Sequence, residues 1–109
     1  MVIMMSRYII FSSYAVKGAA GNTDLTVQLP KSGCILRNTG CYFSAGALTT
    51  YVYVGSGGTP VDFLGGHTSS ALVVSFEECL LVPSTTALLR AYITVAATIK
   101  VTWTFEIPD

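Results

Sequence analysis

The stretch that decides the fold is residues 93–107, which read ITVAATIKVTWTFEI. The odd-numbered positions are all apolar, and most of the even-numbered positions carry Thr, Lys or Glu. A period of two is that of a β-strand with one face in the core and the other in solvent. The predicted core face consists of Ile93, Val95, Ala97, Ile99, Val101, Trp103, Phe105 and Ile107.

The apolar pattern continues upstream into residues 87–92. One unbroken strand of about 20 residues would span about 65 Å, too long for a domain with a radius of gyration of about 13 Å. We therefore predict a break near residues 95–98. A two-residue hairpin loop would place a core-facing residue such as Ile93 opposite a solvent-facing residue such as Lys100. We therefore expect a bulge, an odd-length loop or a bent strand there.

The remainder of the chain also has short apolar and β-branched runs, separated by Gly, Pro, Asn and Ser. This pattern predicts an all-β chain that forms a single domain covering residues 1–109. The predicted architecture is an antiparallel two-sheet β-sandwich of about eight short strands, for which a jelly roll is one possible topology. Asn38-Thr39-Gly40 predicts a hairpin turn with Gly40 in the left-handed conformation. Residues 55–60 and 65–70 are predicted loops. The other predicted strands are residues 2–14, 23–29, 34–37, 41–44, 48–54, 61–64, 71–76 and 79–82.

The charge content restricts the classes of partner. Of the 109 residues, 51% are hydrophobic and 11% are charged, six basic and six acidic, whereas soluble domains average about 25% charged. This composition excludes disorder. The basic residues are scattered singly, so we expect no binding to nucleic acid or to a membrane surface.

The cysteines and the first residues indicate a reducing compartment. Cys34, Cys41 and Cys79 are an odd number, and their spacing matches no C-x2-C metal or redox motif. We expect three small buried hydrophobic side chains, with a disulfide or a reactive thiol as the alternative. No basic segment precedes the short apolar run at the N-terminus, so we expect no secretory signal and synthesis in a cytoplasm.

Groups suited to catalysis are few in this sequence. His67 is the only histidine, and the sequence predicts it to be an exposed loop residue with no chemical role. Adjacent Glu77 and Glu78 should point to opposite faces of a strand. His67 and Asp62 could be combined with Ser69 or Cys79 into a catalytic triad, but no nucleophile-elbow motif supports this arrangement. We therefore expect no enzymatic activity, no cofactor and no metal.

Tyrosines are the candidate contact residues. Tyr51 and Tyr53 share one face of a predicted strand whose other face carries Val52 and Val54, so both faces are suited to burial. The outer face either contacts a neighbouring subunit, which we favour, or stacks on a sugar ring. Because few charges are present to cover the surface, we expect a symmetric homo-oligomer or a larger assembly. The predicted interface residues are Tyr42, Tyr51, Tyr53 and Tyr92.

A short all-β chain rich in Thr, Ser, Gly and Ala, with few charges and no catalytic motif, resembles the small virion proteins of tailed bacteriophages, including head decoration (cement) proteins. The resemblance covers the whole chain in style, not in motif, and assigns no residue a role. It implies a homo-oligomer, a trimer or higher, on a capsid or tail lattice protein, located in the virion after synthesis in the host cytoplasm. Otherwise we expect a cytoplasmic protein. The alternative function is a lectin-like carbohydrate-binding β-sandwich that uses Tyr51, Tyr53, Asp62 and His67.

Overall fold

Eight strands form the protein in its computed structural model, which describes residues 7–56 and 59–108. Within these ranges every regular element is a β-strand. The strands are β1 (Arg7–Lys17), β2 (Gly21–Gln28), β3 (Cys34–Phe43), β4 (Leu48–Ser56), β5 (Thr59–Ser69), β6 (Val73–Val82), β7 (Thr86–Ile93) and β8 (Ala97–Ile107).

The strands form two antiparallel sheets of four. The first sheet has the order β1-β8-β3-β6, and the second has the order β2-β7-β4-β5. The first strand pairs with the last, the second with the seventh, the third with the sixth and the fourth with the fifth. A long antiparallel hairpin rolled around a core gives this order, which is a jelly roll. The predicted two-sheet β-sandwich is confirmed.

The core lies between the inner faces of the sheets. In β8, Ile99, Val101, Trp103 and Phe105 have no exposed surface, which confirms the alternation predicted for this strand. The predicted break is a three-residue connection, residues 94–96, that carries the chain from the second sheet into the first. Val95 lies in this connection and is exposed, so its place in the predicted core face is wrong.

The hairpin turn predicted at Asn38-Thr39-Gly40 is wrong, because β3 continues through these residues. Its neighbours β6 and β8 pair with it on both sides, and a bulge lies between Leu36 and Asn38. Gly40 does not adopt a positive φ. A Cβ there would lie 2.9 Å from the Thr102 hydroxyl oxygen, so glycine is needed for this close approach rather than for a turn.

The predicted loop at residues 65–70 is also wrong, because β5 extends to Ser69. A Cβ at Gly66 would overlap the carbonyl oxygen of Thr50, so the pairing of β4 with β5 requires glycine at this position. The strands predicted at residues 71–76 and 79–82 form the single strand β6. The predicted loop at residues 55–60 is wrong at its described residues, because residues 55 and 56 belong to β4 and residues 59 and 60 to β5. Residues 57 and 58, and residues 2–6 of the predicted first strand, lie outside the described residues.

Candidate functional site

The four predicted interface tyrosines lie on two opposite surfaces. Tyr51 and Tyr53 flank the buried Val52, so they point away from the core on the second sheet. Tyr92 pairs with Thr49 on the same surface. Tyr42 lies on the outer side of the first sheet and is 52% exposed. We call these two surfaces the first-sheet outer face and the second-sheet outer face.

The first-sheet outer face has many exposed apolar side chains. Along the edge strand β1, Tyr8, Ile10, Tyr14 and Val16 all point outward and are each more than half exposed. The register aligns residues from all four strands into rows across this face. Two of these rows are rich in apolar residues: Tyr14, Lys100, Tyr42 and Val73 form one, and Tyr8, Glu106, Ile35 and Leu81 form the other.

A groove of about 440 Å³ crosses this face at Gly40. Tyr42 and Val73 line one end of the groove, and Lys100 and Thr102 line its side. The groove therefore offers an apolar recess that a side chain of a partner can enter.

The charged groups on the first-sheet outer face balance one another. Arg37 Nε donates a hydrogen bond to Glu106 Oε1 at 2.8 Å, and this bond raises the pKa of Arg37 above its ordinary value. Lys100 and Glu77 are exposed and opposite in charge. A partner that covers this face therefore meets two positive and two negative groups, with no excess of either sign.

An aromatic cluster of Tyr51, Tyr53 and Phe63 covers part of the second-sheet outer face. The rings of Tyr51 and Tyr53 are stacked with centroids 5.9 Å apart, and Phe63 lies 5.5 Å from Tyr53 and 6.2 Å from Tyr51. Leu88 pairs with Tyr53 and has no exposed surface, although it lies on the outer side of its sheet. The side chains here therefore form a small second core outside the sandwich.

A salt bridge between Arg90 and Asp24 lies next to the aromatic cluster. Arg90 donates two hydrogen bonds to the Asp24 carboxylate, at 2.7 and 3.0 Å. The bond to Asp24 raises the pKa of Arg90. The Arg90 guanidinium lies 5.4 Å from the centre of the Tyr53 ring, within the range of a cation–π interaction. Asp24 thus orients Arg90, and Arg90 in turn orients Tyr53.

A second groove, of about 300 Å³, lies beside this cluster. Tyr51 and Phe63 line it together with Gly66, Thr49 and Thr68. The hydroxyl oxygens of Thr49 and Thr68 are 2.9 Å apart and share a hydrogen bond. This groove combines aromatic walls with a pair of hydroxyl groups.

His67 is not the exposed loop residue that the sequence predicted. It lies in β5, pairs with the buried Thr50 and points towards the interior. Its Nε2 lies 2.5 Å from Glu78 Oε1, and its ring stacks on Phe76 with the centroids 4.1 Å apart. The other Glu78 oxygen accepts a hydrogen bond from the Thr39 hydroxyl. This polar cluster joins β5 of one sheet to β6 and β3 of the other.

The geometry of the polar cluster does not match a nucleophile activated by a base. In such a site the nucleophile hydrogen-bonds to the imidazole, whereas the Thr39 hydroxyl donates to the carboxylate of Glu78. Ser69, the serine of the conceivable triad, bonds instead to the backbone of Ala71. Glu77 is exposed while Glu78 points inward, so the two carboxylates do point to opposite faces as predicted.

Asp62 does not belong to the aromatic surface, and His67 lines the second groove while its imidazole is directed to Glu78. Asp62 pairs with Val54, whereas Phe63 pairs with Tyr53, so Asp62 lies on the other side of its strand. Phe63 lay within the predicted strand at residues 61–64 but was not singled out, and Gly66 lay in the predicted loop at residues 65–70. The pairing of β5 with β4, with a register shift between Val52 and Tyr53, places Phe63 beside the tyrosines. Strict alternation along β5 would instead put Phe63 on the same side as His67, which points inward.

The three cysteines are free thiols. Cys34 and Cys41 are buried as predicted, but Cys79 is exposed because it lies on the outer side of β6. Burial, together with the nearby charge of Glu78, raises the pKa of the Cys41 thiol to about 11. Cys41 is therefore protonated at neutral pH.

Within residues 7–56 and 59–108, no three His, Cys, Asp or Glu side chains are grouped so that they could hold a metal ion. A search of the same residues finds no helix with the length and apolar character needed to cross a membrane. No protein-family model matches the chain, and comparison with curated proteins gives no significant match.

Proposed function

We propose that the protein is a non-enzymatic structural subunit that self-associates through the first-sheet outer face. The observation that supports this proposal is the concentration of exposed large apolar side chains on one surface, namely Tyr8, Ile10, Tyr14, Val16, Tyr42, Val73 and Leu81. A concentration of exposed apolar side chains marks interaction sites in soluble proteins.

The size of this face suits a specific interface. Four strands spaced about 4.8 Å apart, each about 11 residues long at about 3.3 Å per residue, give a face of about 700 Å². A standard interface buries about 600 to 1,000 Å² on each partner. One such face is therefore large enough for a stable contact between two copies.

The composition of the face also suits a second copy of the same chain. Its charged groups are two basic and two acidic side chains, so two copies bring no net like charge together. Tyr42 and Tyr14 are large aromatic anchors of the type enriched at interfaces. The recess at Gly40, lined by Tyr42 and Val73, can accept such a side chain.

The resemblance to small virion proteins extends this proposal to a biological setting. We propose an oligomer, a trimer or higher, that decorates a phage capsid or tail lattice. In that setting one outer face makes contacts within the oligomer or with the lattice, and the opposite outer face remains accessible.

Oligomeric state and two matched variants test the self-association. Native mass spectrometry and light scattering at micromolar concentration should show the wild-type protein as a trimer or larger. The substitution Ile10→Ser should shift it towards smaller species. Phe63→Ser is the control, because Phe63 is similarly exposed but lies on the second-sheet outer face. A monomeric wild-type protein, or equal dissociation of both variants, would reject the proposal.

The location in a phage particle needs a separate measurement. Mass spectrometry of purified particles should detect the chain at a fixed copy number relative to the major capsid protein. Its absence from particles would reject the virion assignment, whatever its oligomeric state.

A further inference from the structure

The groove beside Gly66 lies on the second-sheet outer face, on the opposite side of the sandwich from the proposed self-association surface. Tyr51 and Phe63 form its walls, with ring planes inclined by 64°. Thr49 and Thr68 contribute hydroxyl groups at its rim. Phe63 is 60% exposed, so an aromatic surface is available to a ligand.

We propose that this groove binds one pyranose ring of a neutral glycan. A pyranose has an apolar face of C–H groups and an edge of hydroxyl groups. Aromatic rings offer a flat apolar surface to the first, and side-chain hydroxyls both donate and accept hydrogen bonds with the second. Ligand sites in general combine apolar walls with a few polar groups that fix orientation.

The walls of the groove are held in place before a ligand arrives. Tyr51 stacks on Tyr53, the Arg90 guanidinium lies over Tyr53, and Asp24 binds Arg90 through two hydrogen bonds. A side chain that is already ordered loses little conformational entropy on binding. This arrangement favours recognition of a small ligand by a shallow groove.

The charges around the groove favour a neutral ligand. Arg90 and Asp24 neutralise each other, and the imidazole of His67 points to Glu78 on the inner side of the strand. The other lining residues are Thr49, Thr50, Tyr51, Phe63, Gly66 and Thr68, none of which is an Asp, Glu, Lys or Arg. An anionic sugar would therefore find no unpaired cation among these described residues.

The volume of the groove limits how much of a glycan it holds. About 300 Å³ is at the lower end of the range for small-molecule sites, which is about 300 to 1,000 Å³. The groove is also open to solvent along the sheet. It therefore suits one ring of a longer chain, whose neighbouring rings extend over the surface.

Isothermal titration calorimetry of the full chain tests the proposal. The probes are maltohexaose, cellohexaose, mannohexaose and galactohexaose, each titrated to about 10 mM, because a single-ring site is expected to bind with a Kd near the millimolar range. The wild-type protein should bind at least one of them. Phe63→Ala should weaken that binding at least about tenfold, since it removes one aromatic wall.

Two further variants separate the site from the fold and from self-association. Thr68→Val keeps the side-chain shape but removes a hydroxyl, and it should weaken binding about fivefold. Tyr14→Ala removes an exposed tyrosine from the first-sheet outer face, so it should leave glycan binding unchanged whatever it does to the oligomer. Binding to none of the four probes would overturn the proposal. So would binding that Phe63→Ala and Thr68→Val leave unchanged, or binding that Tyr14→Ala weakens equally.

Discussion

The hydrogen bonds of Glu78 should make a large contribution to the stability of the sandwich. Its carboxylate accepts hydrogen bonds from His67 and Thr39, and its side chain is only 9% exposed. Glu78→Ala leaves both partners without their acceptor at the edge where β5 meets β6. We expect this substitution to lower the free energy of unfolding.

The size of the loss follows from these contacts. Removing one partner of a buried pair costs about 3–5 kcal/mol. The His67 side chain is 32% exposed, so water can replace part of its lost interaction. We therefore expect about 2–3 kcal/mol for Glu78→Ala, and about half of that for Glu78→Gln, which keeps one acceptor oxygen.

Urea unfolding followed by tryptophan fluorescence measures this loss directly. Trp103 is the only tryptophan and has no exposed surface, so its emission reports on the core. Protein concentration must be the same for all variants, because self-association contributes to apparent stability. Glu77→Ala is the matched control, since Glu77 is the exposed neighbour on the same strand, and it should change stability by less than about 0.5 kcal/mol.

A double-mutant cycle with His67→Ala isolates the contribution of the pair. We expect a coupling energy of about 1–2 kcal/mol between His67 and Glu78. If Glu78→Ala is no less stable than Glu77→Ala, or the coupling is below about 0.5 kcal/mol, then the polar cluster does not hold the two sheets together.

Three further predictions concern the thiols and one glycine. With Ellman's reagent near neutral pH, Cys79 should react in the folded protein, whereas the buried Cys34 and Cys41 should react only after unfolding; two or three fast thiols would contradict this. The folded-state pKa of Cys41, about 11, is above its ordinary value of 9.0, so the stability that this shift contributes is complete below pH 9.0 and is lost as the pH rises through about 11. Urea unfolding across this pH range should therefore show a steeper decline for the wild-type protein than for Cys41→Ala, and parallel declines would refute the assignment. Gly66→Ala should lower the free energy of unfolding by about 2 kcal/mol or more, because its Cβ would overlap the Thr50 carbonyl oxygen, whereas Gly18→Ala has no atom within 4 Å of its Cβ and should change stability little; equal effects would show that β4 and β5 adjust easily.

Local pattern predicted the fold class correctly where burial alternates strictly along a strand. In β8 each buried residue is followed by a more exposed one, and the one-dimensional pattern is sufficient to identify the core face. Turn signals were less reliable. Asn38-Thr39-Gly40 has the composition of a hairpin turn, but pairing with β6 and β8 on both sides keeps the segment extended. The hydrogen bonds to these two neighbouring strands outweigh the preference of the three residues for a turn.

For the candidate surfaces, too, the local sequence pattern predicted some placements correctly and could not predict others. The alternation of Tyr51, Val52 and Tyr53 was sufficient to place both tyrosines on one outer face. That Tyr42 lies on the opposite side of the molecule could not be predicted, because it depends on which sheet contains β3. Phe63, Gly66 and the Asp24–Arg90 pair join the tyrosines only through the pairing of β5 and β2 with their neighbours.

By itself, the sequence determined that this protein is an all-β sandwich with few charged residues. A strand repeats every two residues, so the inner face can be read from neighbouring positions along the chain. Only the tertiary structure decided the jelly-roll strand order, the contact of His67 with Glu78 and the grouping of Tyr51 with Phe63. These contacts join residues on different strands, and they depend on how the whole chain closes around its core rather than on any local pattern.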